Sequence, residues 1–370
     1  MSDSEVDFST RLVRPNILTV RPYKPGKPIE EVQRELGLTD VVKLASNENP
    51  LGASKKAVEA IRQAADSVYL YPDGGSFRLK ESLAERFGVP MGNVLTGSGS
   101  TELIELIGTV LLAEGDEVIF AEPSFIMYRI VAAACSAKIV AVPLKDYAVD
   151  LDAMADAITD RTKVVYIANP NNPTGVLVGQ TEIDRFMSRV TDNTVVVMDE
   201  AYFEYNVDGT FPDTMKFMRA GRNIAILRTC SKIYGLAGLR IGYGAAPSWL
   251  VDAIDRIRRP FHVNRLAQVA ALAAFSDEEH VRMSRETNEV GKKYLYSAFA
   301  EMGLEYVPTS ANFILVDVGQ DCVRLYDELL RRGVIVRPMA AWGYTTKFRV
   351  TIGTQEQNER FIAALKQLLK

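Results

Sequence analysis

The sequence predicts an α/β fold: a large domain on a mostly parallel, seven-stranded sheet, with a smaller α+β domain beside it. Three observations predict it. Seven short apolar runs, most of them rich in Val and Ile, lie between Asn93 and Ala245. Segments of helical period separate most of those runs, so strand and helix alternate. After Pro260 the texture changes to long helical stretches with a few late strands. The length, 370 residues, also favours two lobes over one core. The large domain is expected over 48–260. The smaller one joins an N-terminal arm, 1–47, to 261–370.

Taken in order, Pro15, Pro22, Pro25 and Pro28 predict an extended arm. A helix, "IEEVQRELG", follows from Ile29 and stops at Gly37. Val41–Gly52 reads as a short strand entering a turn. The seven strands are placed at Asn93–Thr96, Glu117–Ala121, Lys138–Pro143, Lys163–Ala168, Thr194–Met198, Asn223–Leu227 and Leu239–Ala245. "TELIELIGTVLLAEG" and "TEIDRFMSRV" are two of the helices between them. One long helical stretch is expected from Leu266 to about Met302. Asn312–Val318, the helix "CVRLYDELLRRG", "VIVRPM" and "KFRVTIGT" complete the smaller lobe.

Hydrophobic residues make up 47% of the chain, enough to build buried sheets. The net charge of -4 and a pI near 5.5 point away from nucleic acid and from an anionic membrane. The basic run Arg256–Arg259 reads as a solvated helix end. Cys135, Cys230 and Cys322 lie far apart with no C-x-x-C spacing, so no disulfide framework is expected. Two histidines, His262 and His280, are too few for a zinc site of the H-x-x-x-H kind. The opening "MSDSEVDFSTRLVRP" has no apolar signal core, so a soluble, cytoplasmic protein is expected.

Four motifs carry chemistry. "TGSGSTELIEL" (Thr96–Leu106) ends a strand and starts a helix at Ser100 or Thr101, where free N–H groups and the helix dipole favour an anion. "ANPNNPTG" (Ala168–Gly175) could aim the Asn172 amide at a ligand oxygen. "VVVMDEAYFEY" (Val195–Tyr205) puts Asp199 where a fully apolar strand ends, with Tyr202 three residues later. A carboxylate there is costly unless it meets a cation. "RTCSKIYGLAGLRIGY" (Arg228–Tyr243) sets the lone amine of Lys232 among the hydroxyls of Thr229 and Ser231, with Arg240 eight residues on. Singly, each has a plain structural explanation: a helix cap, an Asx-rich turn, a solvated strand end at Asp199 and Glu200, an exposed lysine. Together, in one chain order, they suit one ligand, a phosphorylated pyridine aldehyde.

The N-P-T-G, D-E-A-Y and S-K-x-x-x-L-A-G-L-R-x-G motifs make the chain similar to fold-type I, pyridoxal-phosphate-dependent aminotransferases of class I/II. "RPYKPGKPIEEVQRELG", "KLASNENPLG", "YPDGG" and "GVIVRPM…FRVTIGT" extend the resemblance to the histidinol-phosphate aminotransferase branch, over nearly the whole chain. The resemblance implies that Lys232 binds the cofactor pyridoxal 5'-phosphate covalently and moves the substrate proton. It implies that Asp199 pairs with the ring nitrogen, that Asn172 and Tyr202 hydrogen-bond the ring oxygen, and that Phe125 stacks on the ring. Gly99, Ser100, Thr101, Thr229, Ser231 and Arg240 would hold the phosphate, with Tyr71 reaching across from a second subunit of a homodimer. Arg349 matches the arginine that takes an α-carboxylate. Arg337 and Tyr23 match positions on the distal anion of the substrate, and Asn47 joins them as a substrate-binding residue. No metal is implied. His262, in "RRPFHVN", stands where relatives often have asparagine, either lining the pocket or sitting incidentally in a loop. Cys230 reads as packing.

The implied substrates are L-histidinol phosphate and 2-oxoglutarate, giving imidazole-acetol phosphate and L-glutamate. An aromatic amino-acid aminotransferase, a decarboxylase of a phosphorylated amino acid, and a phosphate-ligand binding protein using "GSGST" alone remain open.

Overall fold

The computed structural model describes residues 12–20, 22–23 and 25–369. Residues 1–11, which carry most of the opening segment read above, lie outside that set. The first strand, β1 (Val42–Lys43), follows the arm. Seven strands then alternate mainly with helices: β2 (Val94–Gly97), β3 (Glu117–Glu122), β4 (Lys138–Pro143), β5 (Thr162–Ala168), β6 (Val195–Asp199), β7 (Ile224–Thr229) and β8 (Gly242–Ala245). Five short strands complete the chain: β9 (Tyr306–Val307), β10 (Phe313–Asp317), β11 (Val334–Ile335), β12 (Arg337–Pro338) and β13 (Lys347–Thr351).

β2 to β8 form one sheet in the order β2-β8-β7-β6-β5-β3-β4. β8 alone is reversed, antiparallel to both β2 and β7. The expected mostly parallel α/β sheet is therefore present, and the seven predicted runs fall on its strands. A second sheet, β12-β13-β10-β9, is antiparallel, and β1 pairs in parallel with β11. That pairing ties the segment after the arm to the last hundred or so residues by main-chain bonds.

Both faces of the large sheet are buried, which is why its strands read as continuous apolar runs. Along β6, Val196 and Met198 pack into one core and Val195 and Val197 into the other. Strand side chains alternate with period two. Asp199 therefore emerges on the face of Val195 and Val197, where Tyr128 meets it. Thr229 emerges on the same face by the same count from Ala225 and Leu227. The β-ladder sets Ala168 beside Asp199 and Asp199 beside Leu227. Three neighbouring strands thus deliver their last residues to one place, at their carboxyl ends.

Four details differ from expectation. The arm contains a short helix, Pro15–Leu18, with proline at its first turn, where the missing N–H costs nothing. Asn16 pins it by donating to the carbonyls of Ala133 and Ala134. The long helical stretch is two helices, Arg265–Phe275 and Glu278–Glu301. Asp277 divides them, because its carboxylate caps the second helix at the N–H of His280. The basic run is not wholly solvated: Arg258 donates to the carbonyl of Gly74 at 2.8 Å and pairs with Asp255 at 2.6 Å.

The fourth concerns Glu200, expected at a solvated strand end. It is fully buried and receives two bonds from Arg228, at 3.0 and 2.9 Å, while Thr214 serves its other oxygen. The Arg228 guanidinium lies 3.4 Å over the ring of Phe203. This pair locks β6 to β7 just behind the site. Glu200→Ala leaves a buried guanidinium without its partner and should lower stability by about 3–5 kcal/mol. Denaturant titration checks this; a loss below about 1 kcal/mol would show that the pair is dispensable.

Candidate active site

At the carboxyl ends of β5, β6 and β7 lies a cavity of about 160 Å³. Tyr23, Asn47, Ser100, Thr101, Phe125, Asn172, Asp199, Tyr202, Thr229, Ser231, Lys232, Arg240 and Arg349 line it, all of them named from the sequence. Gly99 stands at its edge. Arg337 sits one layer out, and Tyr71 lies apart.

The anion end is built by glycines. Gly99 has φ +86 and precedes the helix Ser100–Leu111, whose first turn has no side-chain cap. A Cβ on Gly99 would come within 2.3 Å of Arg240 Nη2, and one on Gly242 within 2.1 Å of the Ser100 nitrogen. Only glycine lets the Arg240 guanidinium and the β8 backbone approach this helix end so closely. Arg240 also donates to Ser231 Oγ at 3.3 Å. Helix N–H groups, two hydroxyls and a guanidinium therefore converge where a phosphate fits.

At the other end of the cavity floor lies Asp199. Tyr128 donates to its Oδ2 at 2.8 Å, while Oδ1 is buried with no hydrogen-bond partner. Burial pushes the carboxyl up to about 6, against the Tyr128 hydrogen bond. A buried carboxylate oxygen without a donor is costly. A protonated ring nitrogen would satisfy it. Phe125, a face of this cavity, packs edge-on against Tyr128 at 5.8 Å. A flat, nitrogen-containing ring bearing a phosphate fits these residues.

Lys232 lies between the two ends. Its amine donates to the Ser46 carbonyl at 3.1 Å and stands 5.8 Å from the Tyr202 ring centre. Burial pushes it down to about 8, and the guanidiniums of Arg349 and Arg240 add to the effect. An amine so placed is a nucleophile near neutral pH.

The asparagines of "ANPNNPTG" divide between the turn and the cavity. Asn169 is buried in turn hydrogen bonds with Val178, and Asn171 with Thr174 and Ser124. Asn172 alone faces the cavity, where its Oδ1 accepts from Arg349 Nη1 at 2.6 Å. Arg349 also donates to the Ala45 carbonyl, and its Nε has no partner. Both of the oxygens it donates to are neutral, and burial pushes its pKa down. Asn47 donates to the Tyr202 hydroxyl at 2.8 Å. Arg337 lies 5.5 Å from the ring of Tyr23 and 5.1 Å from that of Trp342.

Tyr71 is well exposed and stacks on Phe261 at 4.5 Å, away from the cavity. His262 does not line the cavity; its Nε2 is 2.9 Å from the Thr96 carbonyl and its Nδ1 2.9 Å from Arg258. Cys230 is fully buried in the core. Tyr128 was missed, though a signal existed: it stands three residues after Phe125, on the same face of a helix turn. Ser46 and Trp342 carried no comparable signal. Among the described residues no cluster of His, Cys, Asp and Glu is arranged to hold a metal ion.

Comparison with known proteins agrees with this geometry. The family model for aminotransferase class I and II matches residues 39–365. A histidinol-phosphate aminotransferase of Moorella thermoacetica is 51% identical, over 99% of this chain and 95% of its own. One from Akkermansia muciniphila is 50% identical, over 96% of this chain and 98% of its own. The crystal structure of histidinol-phosphate aminotransferase from Sinorhizobium meliloti, in complex with pyridoxal-5'-phosphate, superposes with a TM-score of 0.85 at 27% identity and covers 96% of each chain. With a lysine, a carboxylate and an anion seat in one cleft, and a family match over most of its length, the chain belongs to the class I and II aminotransferases.

Proposed function

We propose that this enzyme transfers an amino group between L-histidinol phosphate and 2-oxoglutarate, using pyridoxal 5'-phosphate. The observation that carries the reading is Arg349: a buried guanidinium held by neutral oxygens, in the same cavity as the Lys232 amine and the unpartnered Asp199 oxygen. The names of relatives about half identical to this chain support the substrate.

When bound, the cofactor supplies an electron-accepting ring that stabilises charge at the carbon beside the amine. Ser100, Thr101, Thr229, Ser231 and Arg240 hold its phosphate, with Gly99 giving access. Asp199 keeps a proton on the ring nitrogen. Tyr202, oriented by Asn47, and the free amide N–H groups of Asn172 reach the ring oxygen, and Phe125 covers one face. Lys232 would hold the cofactor through its amine and, once the substrate amine has freed it, would take and return the proton at the substrate carbon. Arg349 grips the glutamate carboxylate by two parallel bonds. Arg337 and Tyr23 meet the distal phosphate. We assign 48–260 to a cofactor-binding lobe, with the described residues of 1–47 and 261–370 forming the substrate lobe.

The test is a panel of amino donors against 2-oxoglutarate. L-histidinol phosphate should far exceed L-histidinol, phenylalanine and tyrosine. Arg337→Ala should cost the phosphorylated donor about 2–4 kcal/mol in kcat/KM and spare the others. Equal losses for all donors would favour an aromatic aminotransferase instead. Release of carbon dioxide would favour a decarboxylase.

A homodimer in the cytoplasm completes the reading. Tyr71, exposed on this subunit, is then expected to serve the phosphate of its neighbour. In mixed dimers of Tyr71→Phe and Lys232→Ala chains, the only lysine-bearing site faces an intact Tyr71 of the other chain. Activity per such site should match wild type; a loss there would place Tyr71 in its own site.

A further inference from the structure

We propose that Asn49 is a positioning residue for Lys232, acting through the carbonyl of Ile233. The inference rests on the assignment of Lys232 above and adds a residue that does not line the cavity.

The turn Ala45–Asn49 touches the lysine loop at two consecutive residues, Lys232 and Ile233. Ser46 accepts the Lys232 amine at 3.1 Å. Three residues later, the Asn49 amide donates to the Ile233 carbonyl at 2.7 Å. The amide is itself fixed. Its other bond goes to Ser284 Oγ at 2.8 Å, and its oxygen accepts from the Leu51 N–H at 3.0 Å. His280 Nε2 stands 3.4 Å behind it. Asn49 is buried, so each of these bonds lies away from competing water.

A second contact presses the same two segments together. Gly235 has φ +68, and a Cβ there would lie 2.0 Å from the Gly52 carbonyl oxygen. The loop that carries the lysine thus lies flat on the turn that accepts its amine. Without the Asn49 bond, the buried Ile233 carbonyl keeps only its contact with the His280 ring. Its cheapest relief is to turn toward water, and the loop and its amine turn with it.

The consequence is chemical as well as steric. Burial is the first cause that lowers Lys232 to about 8. An amine released toward water returns toward its ordinary range near 10.5. Asn49 therefore keeps the amine both aimed and unprotonated.

The experiment uses the full-length chain, stripped of cofactor, with pyridoxal phosphate added as the probe. Attachment at Lys232 is fixed with borohydride and located by peptide mass. Its rate is followed from pH 6 to 10. Asn49→Ser is the main variant, since serine can still accept from the Leu51 N–H but cannot span to Ile233. Asn49→Leu fills the same space without a donor and serves if the serine variant does not fold. Ser284→Ala is the control, since it leaves the bond to Ile233 in place. The wild-type midpoint is expected near 8. The Asn49 variants should move it up by about a unit or more, slowing attachment at pH 8 about five-fold. Ser284→Ala should leave it in place. An unmoved midpoint in a folded Asn49 variant overturns the positioning role, as does an equal shift in Ser284→Ala. Absence of attachment at Lys232 in the wild type would instead remove the functional reading itself.

Discussion

Lys232→Ala should abolish turnover, by at least on the order of 10⁴-fold, while leaving the fold intact. The lysine is asked for two things at once, a covalent bond and a proton shuttle, and no neighbour can replace it. Asp199 is the wrong partner for a carbonyl, and Arg240 and Arg349 cannot give up a proton near neutral pH. The mutant should still bind pyridoxal phosphate through the anion seat, because those contacts involve other residues. Borohydride should then fix no cofactor to the chain, and the visible band of a lysine-linked imine should be missing. A mutant that kept such a band, or more than about one-hundredth of the activity, would assign the chemistry to another amine.

Asp199→Asn should split in sign between the cofactor-free and loaded enzyme. In the free chain the folded-state value, about 6, lies above the ordinary carboxylate value of 3.8. A carboxyl raised in this way contributes stability that is present below 3.8 and lost as pH rises through 6. The gap of about two units corresponds to roughly 3 kcal/mol of cost for the charged form. The neutral amide removes that cost. Cofactor-free Asp199→Asn should therefore outlast the wild type in denaturant at pH 8, and the difference should vanish toward pH 4. With cofactor bound the order should reverse, because the unpartnered Oδ1 then meets a proton on the ring. Activity should fall about 10²–10³-fold, as for other lost electrostatic partners of a transition state. A free-chain stability difference that does not change with pH would show that Asp199 is not a buried charge.

Much of this site was legible because its residues sit at strand ends, where an apolar run stops and a polar residue begins. Asp199 directly after "VVVM" announces itself that way, and Asn172 and Thr229 follow a few residues past the ends of "YIA" and "AIL". Helical and strand periods located the seven strands for the same reason. What stayed hidden depends on partners far away in the chain. Glu200 looks like a solvated strand end until Arg228 is brought beside it. Tyr128 looks like a core aromatic until its hydroxyl meets Asp199, 71 positions on. Asn49 looks like part of a turn until Ile233 arrives from 184 positions away. Local pattern carries no information about such pairs.

Strand β6 has a further consequence, for how its own alignment is specified. All of its residues are buried, and valines or methionine occupy both of its faces. Sliding it by one residue would exchange its two faces yet expose nothing apolar. Hydrophobicity therefore hardly discriminates between the native alignment and its neighbour. The polar tip does. A one-residue slip would bring Glu200 to the position facing Tyr128 and strand Arg228 opposite a hydrocarbon. The polar groups in and just behind the candidate site are thus also the groups that tell this strand where to stop. A library randomised at Asp199, Glu200, Tyr128 and Arg228 should lose correctly folded chains as well as active ones.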